Sequence, residues 1–317
     1  PREKPCGGLV EPFTLKLFPF LNNPLASQLF SFLEKLPIKH SEKNRVDLIS
    51  PSGKEVCLST RKKMYCFSRL KLDQFLVNMA VNSGAKLIEE KVIALERKKD
   101  SWKVKTTHRS YHAKVLIGAD GINSLVRKGL IGPLNKMDRG VCCGYLVKGL
   151  EKEDITIRFL AHRKGYIWAI PRDDHTSLGI GTAEAAHSYG LRQELDMFIK
   201  QRYPHAEKIS RWVASIPNVK NSKTFKIPVA GSNWILIGDA AGHVSPISGQ
   251  GILYALLDGQ LAAQAVVEKK PETFNELWKE AYGSGLLIET KLRKWLYTRP
   301  GLELSCEFMK LVPILTL

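Results

Sequence analysis

No low-complexity tract and no internal repeat interrupts the 317 residues, and 44% hydrophobic with 25% charged residues is an ordinary globular composition. Disordered, collagen-like and membrane-spanning classes are thereby set aside. A chain of this length can bury a sizeable core as one large or two interleaved domains. No CxxC spacing links the six cysteines, Cys6, Cys57, Cys66, Cys142, Cys143 and Cys306. Neither a metal site nor a secreted disulfide scaffold is expected, and a reducing cytoplasm fits. Neither a signal peptide nor a long uncharged span is visible. The apolar stretch after Gly251 carries Asp258 and Gln260, and the tail "FMKLVPILTL" is broken by Lys310 and Pro313, so any membrane contact is expected to be peripheral.

Acidic residues are few, 31 against 48 basic ones, which leaves a net charge of +17. The excess reads either as solubility with a loosely attracted polyanion, or as attraction to an acidic lipid surface or a diphosphate substrate. Basic residues fall in scattered groups such as Arg61-Lys62-Lys63 and Arg97-Lys98-Lys99, without interleaved aromatics, so nucleic acid is not an expected partner. The text opens at "PREKPCGG" with no strand before it and has the look of a fragment.

What is present reads as alternating strands and helices. "SRLKLDQFLVNMAVNSGAK" spaces Leu70, Leu72, Phe75, Leu76, Met79 and Ala80 as one helical face, with Ser68 as N-cap and a stop at Gly84. A β-meander follows and returns to a buried strand at Val115 to Gly118. "VDLISPSGKEVCLS" reads as a hairpin turning at Pro51 to Lys54. Residues 139–183 read as an antiparallel sheet with one solvated face, residues 191–203 as a helix, and "SRWVASIP" and "TFKIPVA" as two strands leading to the buried strand "NWILIGDAAG". The vicinal Cys142 and Cys143 lie on one strand, pointing to opposite faces.

Two stretches carry chemistry. In "GDAAGHVSPISGQGI", residues 238–252, a strand ends at Gly238-Asp239 and a helix starts near Gly249. Backbone N–H groups and a positive helix end therefore converge on one crevice, bare glycine backbone admits a planar ligand, and Asp239 can accept from ligand hydroxyls. Pro246 keeps the loop from becoming helix too soon. "GADGINSLVRK", residues 118–128, ends another strand with Asp120-Gly121 and places Ser124 and Arg127 on the next helix. Asp120 either caps that helix or contacts a ligand through its loop. His243 reads as solvent-facing or as touching a ligand edge.

The pair GADGxxSxxR and GDAAGxxxPxxGxGI resembles the flavoprotein group that holds the aromatic hydroxylases, flavin-dependent halogenases and geranylgeranyl reductases. "KPCGG", "GYIWAIPR" and the RxxFD-like pattern of Arg69 and Asp73 make the chain most similar to the geranylgeranyl reductases, with Leu72 and Ile170 where phenylalanine is usual. The resemblance implies an α/β fold: an FAD-binding nucleotide fold with its first βαβ unit missing, and an inserted antiparallel-sheet substrate domain. Residues 1–9, 65–134 and 230–283 would form the FAD-binding domain, 10–64 and 135–229 the substrate domain, and 284–317 a C-terminal helical segment. It places Cys6, Gly7, Leu9, Arg69, Ile93, Asp120, Gly238, Asp239, Gly249, Gly251 and Ile252 at FAD, with Ile93 near the adenine.

The reaction so implied is reduction of isolated C=C bonds in a polyprenyl lipid or diphosphate, by flavin hydride and a proton, with electrons from NAD(P)H or ferredoxin. Tyr166 and Trp168 would line the alkene cavity, or are core residues of an alternating strand. Cys6 stacks on the flavin edge, relays a proton, or is a small buried hydrophobe. The strand–GxGxxG–helix unit of the family is absent from this text, so this chain by itself is expected to bind FAD poorly and to be inactive. A flavin monooxygenase or halogenase, and an inactive lipid-binding fragment, are the competing expectations. "LLIETKLRKWLY", residues 286–297, is a basic amphipathic helix that either packs on its own domain or lies at a lipid surface.

Overall fold

The computed structural model describes residues 2–11, 24–184 and 188–311. β1 (Leu9–Val10) and α1 (Pro24–Glu34) precede a hairpin of β2 (Ser41–Ile49) and β3 (Glu55–Cys66). The hairpin turns where Pro51 to Lys54 required it, with Gly53 at φ +88° and its amide on the Ser50 carbonyl at 2.9 Å. α2 (Arg69–Asn82) ends before Gly84, whose φ is +95°. Ser68 precedes α2 but does not cap it; its hydroxyl donates instead to Glu3 Oε2 at 3.1 Å. The expected apolar face of α2 is also only partly buried. Leu72 packs with Val10 and Phe67, whereas Leu70 and Met79 are exposed, because only one edge of the helix meets the core.

β4 (Val92–Arg97), β5 (Trp102–Thr106) and β6 (Ser110–Ala113) form a separate antiparallel meander. β7 (Leu116–Gly118) and α3 (Leu125–Leu130) follow. β7 is less buried than expected: it is an outer strand of its small sheet, and Ile117 is 42% exposed.

β8 (Arg139–Lys148), β9 (Ile155–Phe159), β10 (Gly165–Pro171) and β11 (Thr176–Thr182) precede α4 (Leu191–Arg202) and β12 (Glu207–Pro217). With β1 and the first hairpin they build an eight-stranded sheet in the order β1-β3-β2-β9-β10-β11-β8-β12, antiparallel except where β2 meets β9. Neither face of its centre is solvated, which corrects the expectation. α4 covers one face, with Leu195 and Phe198 on Ile167, Leu178 and Ile180. The other face carries Cys142, Trp168 and Ile170 toward an internal cavity. Cys142 and Cys143 point to these opposite faces.

"TFKIPVA" is not a strand. Asp138 accepts from the Lys220 amide at 2.7 Å and the Thr224 hydroxyl at 2.6 Å, and Asn221 caps Lys223 at 2.9 Å, so residues 222–226 close into a 3₁₀ turn. Such local side-chain bonds compete with a ladder. Only β13 (Ala230–Gly231) is extended before β14 (Trp234–Leu236), which is buried and pairs in parallel with β7. The chain then turns into α5 (Ile252–Val267), α6 (Phe274–Trp278), α7 (Ser284–Leu296) and α8 (Arg299–Leu311). α5 buries Leu253, Leu257 and Leu261 in the main core with Trp234 and Leu236. Residues 312–317, with Pro313, lie outside the described residues, as do residues 12–23 of the expected substrate domain.

Candidate cofactor and substrate site

β14 delivers the chain to Gly238, at φ +56°, and to Asp239. The Gly238 amide donates to Asp258 Oδ2 at 2.8 Å from the first turns of α5. His243 is neither solvent-facing nor turned toward the cavity. It is 1% exposed, its Nδ1 lies 2.8 Å from Asp258 Oδ2, and its ring sits 4.3 Å from that of Trp278. The Tyr282 hydroxyl donates to Asp258 Oδ1 and lies 2.8 Å from His243 Nδ1. Burial, followed by the Asp258 charge, pushes the Tyr282 phenol well above its ordinary pKa. A fully buried polar network thus stands behind the Gly-Asp turn and fixes it.

The loop that follows closes on itself, Ser245 amide to Gln250 carbonyl at 2.9 Å and Gly249 amide to Ser245 carbonyl at 3.0 Å. Its outward carbonyls are held from elsewhere. Arg293 Nε donates to Pro246 at 3.1 Å, the Tyr297 hydroxyl to Ile247 at 2.6 Å, and the Tyr166 hydroxyl to Ser248. The Ser245 hydroxyl donates to Glu289 Oε2 at 2.5 Å. Residues 286–297 thus pack on their own domain, one of the two expectations, but through a polar stripe: Glu289, Thr290 and Arg293 face inward, while Leu292 and Trp295 are 44% and 54% exposed. The loop supplies partners for a polar stripe, so the polar stripe is what becomes buried. α5 then begins at Ile252, three residues later than expected, and its first amides have no intrahelical acceptor.

The "KPCGG" segment lies across the cavity from this loop. Fully buried Arg172 donates to the Cys6 carbonyl at 2.6 Å, to the Gly7 carbonyl at 3.3 Å and to Glu3 at 2.5 Å. Gly8 has φ +78°, and a Cβ there would stand 2.2 Å from the Phe67 carbonyl. The Cys6 sulfur accepts from the Gly8 amide at 3.3 Å. Arg69 pairs with Asp73 at 2.9 and 3.0 Å; burial works against its charge, but the Cys6 sulfur and Asp73 hold its pKa above the ordinary value. Lys4 lies 3.6 Å from Asp239, so the two segments also meet electrostatically.

Alternate residues of β10 form the third wall. Tyr166, Trp168 and Ile170 share the cavity face, and Trp168 stacks on Trp212 at 5.9 Å between ring centroids. The indole of Trp168 lies so close over Gly179 that a Cβ there would meet it at 2.4 Å; Trp212 covers Gly144 in the same way at 2.5 Å. Trp168 Nε1 donates to Ser177 Oγ at 3.2 Å, and that hydroxyl donates to the Cys6 carbonyl at 2.9 Å. The walls enclose a cavity of about 1530 Å³ that continues between β3, α7 and α8.

Of the residues expected at the site, Cys6, Gly7, Leu9, Arg69, Tyr166, Trp168, Gly238, Asp239, Gly249, Gly251 and Ile252 line this one cavity. Asp120 does not: its carboxylate accepts from the Leu125 amide at 2.6 Å and caps α3, while its neighbours Ala119 and Gly121 reach the cavity. Ile93 stands apart, 55% exposed on the meander. Arg127 is buried and donates to the carbonyls of Ala240 and Ala241, joining the two glycine-aspartate turns. Sequence reading missed Arg172, Ser245 and Glu289. A charged residue closing an otherwise apolar strand was the available signal for Arg172; Glu289 left none, sitting on a helix surrounded by lysines and arginines.

The residues fit a flavin dinucleotide. A Cβ at Gly249 would meet the Tyr166 hydroxyl at 3.2 Å, and one at Gly251 would meet Val244 at 3.2 Å, so bare backbone faces the cavity at the helix start. Two buried amide oxygens on the lining, Asn218 Oδ1 and Gln250 Oε1, have no hydrogen-bond partner within the protein. Buried polar groups in this state are suited to a polar ligand.

Comparison with known proteins agrees. The family model described as FAD binding domain matches residues 33–269. The digeranylgeranylglycerophospholipid reductase of Methanococcus vannielii is 28% identical over 285 residues, covering 81% of this chain and 71% of that protein. Its namesake in Methanocaldococcus jannaschii is 28% identical over 277 residues, covering 78% and 69%. Among solved structures, a geranylgeranyl bacteriochlorophyll reductase-like protein of Thermoplasma acidophilum superposes with a TM-score of 0.79 at 20% identity, over 98% of this chain and 82% of that one. A flavin-dependent brominase gives 0.68 at 19%, over 92% and 81%. With a glycine cradle at the start of α5, an acceptor at Asp239 and a family match over well over half its length, the chain belongs to the FAD binding domain family of flavoproteins.

Proposed function

We propose that this flavoprotein reduces isolated C=C bonds in the polyprenyl chain of a lipid or diphosphate, with electrons entering from NAD(P)H or ferredoxin. The observation that carries the reading is the aromatic and aliphatic wall of Tyr166, Trp168, Trp212 and Ile170, continuous with the glycine loop and opening along the C-terminal helices. At about 1530 Å³ the cavity exceeds the range of roughly 300–1,000 Å³ typical of drug-sized ligands, leaving room for a ring system and a long chain together. The names of the archaeal relatives point to the same substrate class.

Bound FAD would supply the hydride. Gly249 and Gly251 would present bare backbone to it and the start of α5 at Ile252 its amides, Asp239 would accept from its hydroxyls, and Cys6, Gly7 and Leu9 would flank it. The faces of Tyr166 and Trp168 stabilise positive charge developing on the alkene. The dry wall excludes water from the reacting carbons.

The test is anaerobic reduction of the FAD-loaded full-length protein followed by addition of a geranylgeranyl lipid. Return of oxidised-flavin absorbance with a gain of hydrogen mass in the lipid is expected. A flavin that waits for oxygen supports the second reading, a monooxygenase or halogenase, which the likeness to a brominase fold favours.

The lipid reaches the cavity from a membrane surface. No helix among the described residues is long and apolar enough to cross a bilayer. The exposed Leu292, Trp295, Leu304 and Phe308, beside Lys291 and Lys294, form a basic apolar rim on α7 and α8, and Leu292 and Phe308 also line the cavity. Contact is peripheral and on the cytoplasmic side.

A further inference from the structure

We propose that Glu289 is the cavity acid that hands a proton to the substrate alkene, with Ser245 as the residue that positions it. The assignment rests on the alkene-reductase reading. Glu289 projects from α7 into the cavity, 2% exposed, beside Ser245, Ile247 and Tyr297. Its hydrogen-bond partners are the Ser245 hydroxyl, at 2.5 Å, and the Ile247 amide, both neutral. The other titratable groups facing it are Glu11 from the segment after β1, Tyr254 from α5, and Tyr297 just past the end of α7, with Arg293 one turn on in the same helix. Arg293 gives its Nε to the Pro246 carbonyl, and Glu11 adds like charge. A carboxyl so placed holds its proton in the neutral range; burial pushes Glu289 up to about 7.

The chemistry needs such a group. An unpolarised alkene accepts hydride only if a proton reaches the other carbon, and a donor is most effective with a pKa near the working pH. The O–H bond of Glu289 breaks and a C–H bond forms at one alkene carbon. The second carbon takes the hydride from reduced FAD, so the alkene is reduced and the flavin oxidised. The carboxylate left behind regains its proton from water. Ser245 ties the donor to the loop that leads into α5, so acid and flavin cradle are one rigid unit.

Two measurements on the FAD-loaded full-length protein test this. Infrared difference spectra should show a protonated buried carboxyl that titrates near pH 7, is absent in Glu289→Gln, and moves to higher pH in Ser245→Ala, where the charged form loses a donor. Single-turnover reoxidation by a geranylgeranyl lipid should slow at least ~100-fold in Glu289→Gln. The wild-type rate should fall as pH rises through about 7, a limb the variant lacks. Glu289 ionised throughout pH 5–8, or a variant that keeps the wild-type rate and limb, overturns the donor assignment while the reductase reading stands. A wild-type flavin that the lipid leaves reduced overturns the reductase reading, and the donor role with it.

Discussion

Arg127 Nη1 donates to the Ala240 carbonyl at 3.0 Å, across 113 residues of chain, and thereby ties the turn after β7 to the turn after β14. Burial, and then the nearby Arg139, push the Arg127 pKa down, so the guanidinium is held by carbonyls against a cost in desolvation. Arg127→Leu should lower stability by about 2 kcal/mol, the scale of a hydrogen bond to a charged group, and should weaken FAD retention. Urea midpoints and flavin released on dialysis measure the two effects.

Asp258 holds the Gly238 amide and meets both His243 and Tyr282. Asp258→Ala strands the Gly238 amide, leaves His243 and Tyr282 only each other, and should destabilise by about 3–5 kcal/mol through the loss of three hydrogen bonds to one buried charged group. Asp258→Asn, which keeps one acceptor, should cost less. Comparison of the two urea curves separates loss of the network from loss of charge.

Gly179 lies under the Trp168 indole, where a Cβ would meet the ring at 2.4 Å. Gly179→Ala should displace that ring from the cavity wall at a cost of about 1–3 kcal/mol, with a shift in tryptophan fluorescence and weaker polyprenyl binding. Gly129→Ala is the control: nothing stands within 4 Å of a Cβ there.

The raised Glu289 pKa makes stability depend on pH. The folded carboxyl titrates near 7 against 4.5 for the ordinary group, so the native state binds more protons across that interval. Stability is therefore lost as pH rises from about 4.5 to 7, by about 3 kcal/mol, and is flat above. Glu289→Gln should remove the slope, as chemical denaturation at pH 5 and pH 8 would show.

Trp295 is 54% exposed on a basic helix. Its fluorescence should shift to the blue on adding anionic vesicles, with less effect from neutral ones or at high salt. Trp295→Ala together with Phe308→Ala should weaken co-sedimentation with anionic vesicles.

Several elements were legible because their signals are local. Alternation located β8 to β11, the Pro51 to Lys54 turn located the first hairpin, and Gly84 bounded α2. The glycines and aspartates of the two turns marked the cavity lining, and most residues named for it do line it. "TFKIPVA" failed because Asp138, far back in the chain, takes its donors.

The amino-acid sequence by itself determined the element types and the turns, since period and turn chemistry act within a few residues of backbone. Which face each element buries was decided only by tertiary structure. His243 reads as a loop residue until Asp258 and Tyr282 enclose it, and Glu289 as a surface acid until Ser245, 44 positions earlier, meets it at 2.5 Å. Burial and hydrogen-bond partners are properties of approach in space, and residues far apart in the chain supply them.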